Sequence, residues 1–148
     1  MAPPPDTAHL IIDSDMMAVR DGLQNLLSSH LMSGLTKDSL STAEVVLAEV
    51  LNNIVEHAYA DFPGKIAVAL SRRDNRLQFD ISDVGLPMPG AEPPPGILKQ
   101  TQDFADQPEG GFGWFLIRSL SQNLSYRRQD NANLLSFSLN ADDRSETG

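Results

Sequence analysis

One set of residues that could do chemistry is Glu49, Asn53 and His57, which stand four residues apart along an apolar run. Positions i, i+4 and i+8 of a helix form one ridge, so the three side chains would lie in a row. A carboxylate beside an amide could serve as general base and as a neutral oxygen ligand for a Mg²⁺ that already carries phosphate oxygens. The alternative is an ordinary solvated helix face, which charged and amide side chains normally occupy.

A second set is Asp83 and Gly85, which follow alternating apolar residues and therefore stand where a strand ends. An ionised Asp only accepts hydrogen bonds, so it would favour a base with an exocyclic amino group, as adenine has, over one with a carbonyl. Gly85 could take a positive φ or allow another group to approach the backbone closely. A plain Asx-type turn explains the same pair without a ligand.

A third set is Gly110, Gly111 and Gly113, which come just before an apolar stretch with helical spacing. Backbone N–H groups at such a helix entry could point at a phosphate, and the helix dipole would favour the negative charge. Glycine-rich helix entries also occur without a ligand, and this one lacks both the Lys-Ser/Thr of a P-loop and the GxGxxG spacing of a dinucleotide site. The residues that follow are predicted to be core: Trp114, Phe115, Leu116, Ile117 and Leu120.

Composition limits the class of protein that could carry these sets. The chain has 148 residues, which suits a single domain. Its 11 Lys plus Arg against 20 Asp plus Glu give a net charge of -9, which argues against direct nucleic acid binding. The absence of Cys excludes disulfides, thiolate zinc sites and Cys nucleophiles. No apolar run approaches the roughly 20 residues that span a bilayer, so we expect a cytoplasmic protein without a membrane partner.

The first half of the chain predicts one strand and two helices. Residues 9–12 read as a short strand after a flexible segment 1–8, and apolar residues then recur at helical spacing over residues 16–31. Ser41 followed by Glu44 fits a capping box, which predicts that the second helix begins there and continues through residue 58.

The second half predicts two hairpins separated by a loop and a helix. The Gly- and Pro-rich segment 88–110 can be neither a long helix nor a central strand, so we interpret it as a lid. Antiparallel strands with helices available for one face indicate an α+β sandwich. The predicted elements are strands 66–70 and 77–81, helix 113–122, and strands 124–128 and 134–139, in a domain over residues 9–140 with a flexible tail over 141–148.

The order and spacing of the three sets resemble the N, G1 and G2 boxes of the GHKL ATPases, the superfamily of gyrase, heat-shock chaperone, histidine kinase and mismatch-repair ATP-binding domains. In this chain they read Glu49-x-x-x-Asn53-x-x-x-His57, Asp83-x-Gly85-x-Pro87 and Gly110-Gly111-x-Gly113. The EHAY ending, the short lid and the string GGFGWFLIRSLSQNLSYRR resemble bacterial anti-sigma factors that are also serine kinases, the RsbW-like family. The resemblance covers residues 41–139.

The resemblance implies a Bergerat-type fold, a two-layer sandwich in which an antiparallel or mixed sheet is covered on one face by helices. ATP and Mg²⁺ would bind between helix and lid. Glu49 would be the catalytic base, and Asn53 would ligate Mg²⁺. Asp83 would receive the adenine amino group. The other implied contacts are Gly85 near the base, Gly111 and Gly113 at the phosphates, Ser136 assisting Asp83 through water, and His57 near the nucleotide or against the helix.

Three functions follow from the resemblance. The first is a serine/threonine kinase that phosphorylates an anti-sigma-factor antagonist, and the presence of Glu49 favours it. The second is a nucleotide-sensing sequestration module with little or no catalysis, which the single basic residue of the lid, Lys99, favours. The third is a histidine-kinase catalytic domain, for which His30 is a poor phosphoacceptor candidate. The resemblance also implies a homodimer, the antagonist and a sigma factor as partners, and a contact surface that includes the N-terminal strand and first helix.

Overall fold

Five antiparallel strands form one sheet in the part of the chain that the structure describes, residues 6–88 and 111–141 of this computed structural model. Lys99 and the rest of the predicted lid beyond Met88 lie outside those residues, as do residues 1–5 and 142–148. The elements, in chain order, are β1 Asp6–Asp13, α1 Met16–Leu27, a 3₁₀ turn His30–Met32, α2 Lys37–Asn53, a π-helical turn Ile54–Ala58, β2 Lys65–Arg73, β3 Arg76–Asp83, α3 Gly111–Leu120, β4 Gln122–Gln129 and β5 Ala132–Asn140.

The strands are arranged in the order β1-β2-β3-β5-β4, so β1 and β4 are the two edges. The hairpin β2–β3 turns at Asp74 with a φ of 55°, and the hairpin β4–β5 turns at Asp130 and Asn131 with φ values of 53° and 65°. Asp and Asn tolerate this left-handed conformation better than most residues. Both predicted hairpins are therefore confirmed.

Alternation along the strands puts one face of the sheet into the core. Phe79 of β3 and Phe137 of β5 are register partners, are fully buried, and stack with ring centroids 5.1 Å apart. Trp114 and Ile117 of α3 join the same core as predicted, whereas Phe115 and Leu120, which were also predicted to be core, are exposed. The two-layer α+β sandwich expected from the sequence is confirmed, and no helix in the described residues is long and apolar enough to cross a lipid bilayer.

The N-terminal strand is longer than predicted. β1 begins at Asp6, so residues 6–8 pair with β2 through the registers Asp6↔Arg72 and Ala8↔Leu70 instead of belonging to a frayed terminus. Backbone hydrogen bonding to β2 supports these residues although Asp6 and Thr7 bring no apolar pattern. The predicted first helix is also divided, because α1 ends at Leu27 and Leu31 lies in the separate 3₁₀ turn.

The start predicted for α2 is wrong. Thr36 is the N-cap, and its side-chain oxygen accepts a hydrogen bond from the backbone N–H of Ser39 at 3.1 Å. Ser41 is an exposed residue inside the helix, so its apparent capping box with Glu44 does not cap. Thr36, five residues before Ser41, provides the acceptor for the free N–H groups of the first turn.

The end of this helix is a π-helical turn. The backbone N–H of Tyr59 donates to the carbonyl of Ile54 at 3.0 Å, which closes a five-residue turn in place of a four-residue one. Such turns rotate the residues after them relative to a regular α-helix. Ala58 and Tyr59 thus leave the helix facing the ends of the strands.

The two candidate caps of α2 can be tested against each other. Replacing Thr36→Ala removes the observed capping acceptor and should lower the free energy of unfolding by about 1 kcal/mol. Ser41→Ala places a better helix former at an exposed position and should change it by less than about 0.5 kcal/mol. Urea unfolding monitored by circular dichroism measures both. A larger loss for Ser41→Ala would contradict the observed helix start.

Candidate functional site

Glu49 and Asn53 lie on the side of α2 that faces the beginning of α3. Glu49 is half-buried and Asn53 is 8% exposed, so neither belongs to a freely solvated face. A Cβ placed on Gly113 would lie 2.5 Å from Glu49 Oε2 and 3.7 Å from Asn53 Nδ2. A larger residue at position 113 would require the Glu49 carboxylate to move. The structure therefore brings the first and third sequence sets together.

The amide of Asn53 has an unused hydrogen-bonding group. Its Nδ2 is buried and has no hydrogen-bond partner in residues 6–88 and 111–141. Buried polar groups are nearly always paired, so an unpaired one calls for a ligand or water. A side-chain amide can present either its oxygen or its nitrogen, since the two are assigned from the surrounding bonds. Asn53 can thus offer an oxygen to Mg²⁺ or an N–H to a phosphate oxygen.

Asp83 ends β3 on the core-facing side and is 6% exposed. Its Oδ1 accepts two hydrogen bonds, from the backbone N–H of Gly85 at 2.9 Å and from Asn133 Nδ2 at 2.7 Å. No described residue donates to Oδ2. One oxygen of this carboxylate is held by the protein and the other stays available to a ligand.

Asn133 is the partner of Asp83 that sequence reasoning missed. It stands opposite Asp83 in the β3–β5 register and is 5% exposed. Its Nδ2 also donates to the carbonyl of Leu86 at 2.8 Å, so the amide ties the strand end to the loop that follows it. The sequence pattern that could have identified Asn133 is the alternation of β5, in which positions 133, 135, 137 and 139 share the core face with Asp83.

Ser136, expected to assist Asp83, does not lie beside it. Strand alternation places Ser136 on the opposite face of the sheet, where its hydroxyl donates to Asp80 Oδ1 at 2.7 Å. An offset of three residues from Asn133 necessarily reverses the direction of the side chain. The position that the resemblance gave to Ser136 is occupied by Asn133.

His57 does not extend the row of Glu49 and Asn53. It is exposed within the π-helical turn, where residues depart from the 100° spacing on which the row depended. Gly111 is the first residue of α3, two residues before Gly113, while Gly110 lies outside the described residues.

Gly85 packs directly against the end of the π-helical turn. A Cβ on Gly85 would clash with the carbonyl group of Ala58, and that carbonyl accepts a hydrogen bond from Leu86 N–H at 2.7 Å. Tyr59 secures the same junction, because its hydroxyl donates to the Lys65 carbonyl at 2.6 Å and accepts from Val84 N–H at 2.9 Å. The loop after Asp83 and the end of the α2 segment are thereby fixed to each other.

Burial raises the pKa of Asp83 above its ordinary value of 3.8. The hydrogen bonds from Asn133 and Gly85 and the charge of Arg128 act in the opposite direction, because each stabilises the carboxylate. Among the described residues there is no cluster of three or more His, Cys, Asp or Glu that could hold a metal. A Mg²⁺ at Asn53 would therefore take most of its ligands from phosphate and water.

These elements match a known domain. A family model for the histidine kinase-like ATPase domain matches residues 13–139. The chain belongs to this family. The matched segment of this ATPase-domain protein includes all the site residues named above, from Glu49 on α2 to Asn133 on β5.

Similar curated proteins share one description. The chain is 25% identical over 104 residues to the serine-protein kinase RsbW of Bacillus thuringiensis (strain Al Hakam), and 26% identical over 107 residues to that of Bacillus anthracis. Each alignment covers 69% of this chain. The chain spans 65% of the length of these relatives.

Solved structures show the same fold. The crystal structure of the RsbU and RsbW domains of Rv1364c from Mycobacterium tuberculosis superposes with a TM-score of 0.57 at 17% identity, covering 95% of this chain and 34% of that one. The mycobacterial sensor histidine kinase MprB gives a TM-score of 0.50 at 14% identity, covering 92% of this chain and 99% of that one. The similarity in fold thus extends across nearly the whole ATPase-domain chain.

The raised pKa of Asp83 predicts a pH dependence of stability. The folded state holds a proton on Asp83 at pH values where the unfolded state has released it, so Asp83 costs stability as pH rises from 3.8 through the folded pKa. Asp83→Asn keeps an oxygen for Gly85 and Asn133 but cannot ionise. The stability of the wild type relative to this variant should therefore fall with rising pH and then level off. Urea titrations between about pH 3.5 and 7 measure the free energy of unfolding of both proteins. A wild type that becomes more stable relative to Asp83→Asn as the pH rises would contradict the assignment.

Proposed function

We propose that this protein binds ATP with Mg²⁺ and transfers the γ-phosphoryl group to a serine or threonine of a small antagonist protein, in a partner-switching circuit that controls a sigma factor. The observation that carries the proposal is the convergence of three residues at the start of α3. Glu49 is a base, Asn53 can offer an oxygen to a metal, and Gly113 belongs to the glycine-rich entry of the helix. The similarity to RsbW serine-protein kinases supports the choice of acceptor.

In this proposal Asp83 selects the base. Its Oδ1 is occupied by Gly85 and Asn133, so Oδ2 accepts the exocyclic amino group of adenine. Gly85, two residues after Asp83, would lie near the adenine ring. A buried acceptor discriminates strongly between bases. A base with a carbonyl in place of the amino group would leave both that carbonyl and the Asp83 oxygen without a hydrogen bond.

The phosphates lie at the other end of the proposed site. Gly111 and Gly113 leave backbone N–H groups of α3 free to approach them, and the helix N-terminus favours their negative charge. Asn53 would hold Mg²⁺, which would supply charge neutralisation for the phosphates. Glu49 accepts the proton of the attacking hydroxyl while the new bond to the γ-phosphorus forms and the bond to ADP breaks.

The partners proposed for the chain are those that the family resemblance implies. They are an anti-sigma-factor antagonist as phosphoacceptor, a sigma factor as the protein it sequesters, and a second copy of the chain in a homodimer. The net charge of -9 favours protein partners over direct contact with nucleic acid. We propose the cytoplasm as the compartment in which all of these meet.

A second candidate function is nucleotide-dependent sequestration without catalysis. The segment between β3 and α3 carries a single basic residue, Lys99, so little side-chain charge is available there to stabilise a transferring phosphoryl group. Glu49 favours the kinase over this alternative, because sequestration alone requires no base.

Nucleotide binding can be tested with two matched variants on β3. Asp83→Asn puts an N–H₂ group where the adenine amino group needs an acceptor and should weaken Mg-ATP and Mg-ADP binding about 100-fold or more. Asp80→Asn makes the same substitution on the opposite face of the sheet and should leave affinity unchanged. Isothermal titration calorimetry measures both. Equal affinities for the two variants would remove Asp83 from the site.

Catalysis can be separated from binding at Glu49. Glu49→Gln should leave nucleotide affinity within about threefold and reduce phosphoryl transfer by a factor of about 10² to 10⁴, because only the proton acceptor is lost. Glu56→Gln, exposed in the π-helical turn, is the control. Transfer from radiolabelled ATP to a serine-bearing partner from the same operon is the measurement. A wild type that binds ATP and transfers no phosphate would favour the sequestration function.

A further inference from the structure

Two residues of the edge strand β4 converge on the amide of Asn133. The Tyr126 hydroxyl donates to Asn133 Oδ1 at 2.5 Å, and Arg128 Nη1 donates to the same oxygen at 3.1 Å. Together with the bonds from Nδ2 to Asp83 and to the Leu86 carbonyl, this amide makes four hydrogen bonds. These bonds fix the orientation of the amide. Exchanging its oxygen and nitrogen would place the oxygen against the Asp83 and Leu86 oxygens and the N–H₂ group against the Arg128 guanidinium.

Arg128 also reaches past the amide to the loop. Its Nη1 donates to the Gly85 carbonyl at 2.7 Å, so one nitrogen connects the loop backbone with the Asn133 oxygen. The Tyr126 hydroxyl in turn accepts from the backbone N–H of Met88 at 3.0 Å, at the end of the described loop. Residues 85–88 are thus held at both ends by side chains from β4.

We propose that Arg128 is a positioning residue for base recognition: it sets the Asn133 amide and the Gly85 carbonyl, and through them the direction in which Asp83 presents its free oxygen. The proposal rests on the proposed nucleotide site. Arg128 makes no contact with the nucleotide in this arrangement and acts through Asn133 and Gly85.

Arg128 has a second, electrostatic effect on Asp83. The charge of Arg128 favours the ionised form of this carboxyl and offsets part of the effect of burial on its pKa. Among the described residues, the other titratable groups at this junction are Tyr126, which contacts Asn133, and Tyr59, which contacts Val84.

Ionisation of Asp83 matters for the choice of base. A carboxylate accepts from the amino group of adenine, whereas a carboxylic acid can donate to the carbonyl that hypoxanthine carries at the same ring position. Loss of the Arg128 charge should therefore reduce discrimination between ADP and IDP at mildly acidic pH, where part of Asp83 would hold a proton.

The test compares neighbouring arginines of β4. Arg128→Gln removes the charge and the contacts at the site, while Arg127→Gln makes the same change in net charge on the opposite face of the sheet, where Arg127 lines a shallow groove with Asp80 and Ser136. Arg128→Lys and Arg127→Lys form a second matched pair that keeps the charge. Calorimetric affinities for Mg-ADP and Mg-IDP are measured from about pH 5 to 8 for all four variants, the wild type and Asp83→Asn.

Two results are expected. Arg128→Gln should bind Mg-ADP about tenfold more weakly than Arg127→Gln at pH 7. On acidification, the affinity of Arg128→Gln for Mg-ADP should begin to fall at a higher pH than that of Arg127→Gln, because loss of the arginine charge raises the pKa of Asp83. Arg128→Gln should also discriminate less between Mg-ADP and Mg-IDP. Arg128→Lys should keep the pH midpoint of the wild type and lose affinity about threefold relative to Arg127→Lys.

The outcomes separate this inference from the proposed function. If the wild type binds nucleotide, Asp83→Asn does not, and the Arg128 and Arg127 variants have equal affinities and pH midpoints, the positioning role is overturned and the nucleotide site stands. If the wild type binds no nucleotide, both are overturned. If circular dichroism shows Arg128→Gln unfolded, the lysine pair decides: equal affinities for the two lysine variants overturn the proposal, and a weaker Arg128→Lys supports it.

Discussion

The contact between Gly85 and the carbonyl group of Ala58 is the constraint on which the arrangement of the site depends. It permits the end of the α2 segment and the end of β3 to touch through their backbones, and Leu86 N–H and the Tyr59 hydroxyl then lock the junction. A side chain at position 85 would separate the helix layer from the sheet layer at this point. In the proposed nucleotide site, the carboxyl of Asp83 and the polar face of α2 are connected through this meeting of the two layers.

The polar groups at this junction are nearly all satisfied within the protein, and the exceptions are informative. Asn133 makes four hydrogen bonds and the Tyr126 hydroxyl makes two. Asn53 Nδ2 is buried with no partner among the described residues, and the hydrogen bonds that Asp83 accepts from described residues go to its Oδ1. A buried network that is otherwise complete gives its unpaired atoms a defined direction. Preorganisation of this kind lowers the cost of binding, because the acceptors need not be reoriented when a ligand arrives.

Much of the fold and part of the site could be predicted from the sequence. The hairpins followed from strict alternation of apolar residues, and Asp83 and Gly113 followed from motifs that are local in the chain. Asn133 could not be found in this way, because it lies 50 residues from Asp83 and depends on the exact register of β3 with β5. The resemblance places Ser136 in this role by its position in the chain, yet strand alternation puts its side chain on the other face of the sheet. The predicted start of α2 was wrong because Thr36 and Ser41 could both cap the helix, and the sequence alone does not show which one does.

The π-helical turn has a consequence for how the chain can vary in length. It contains one residue more per turn than an α-helix, so it acts as a phase shift of about 100° between the helix body and Tyr59. Loss or gain of a single residue between 54 and 58 would rotate Tyr59 away from Lys65 and Val84. The hairpin tip at 74–75, exposed and at the far end of β3 from Asp83, has no such dependence. Insertions and deletions should therefore accumulate at the tip among related chains and be absent from the turn.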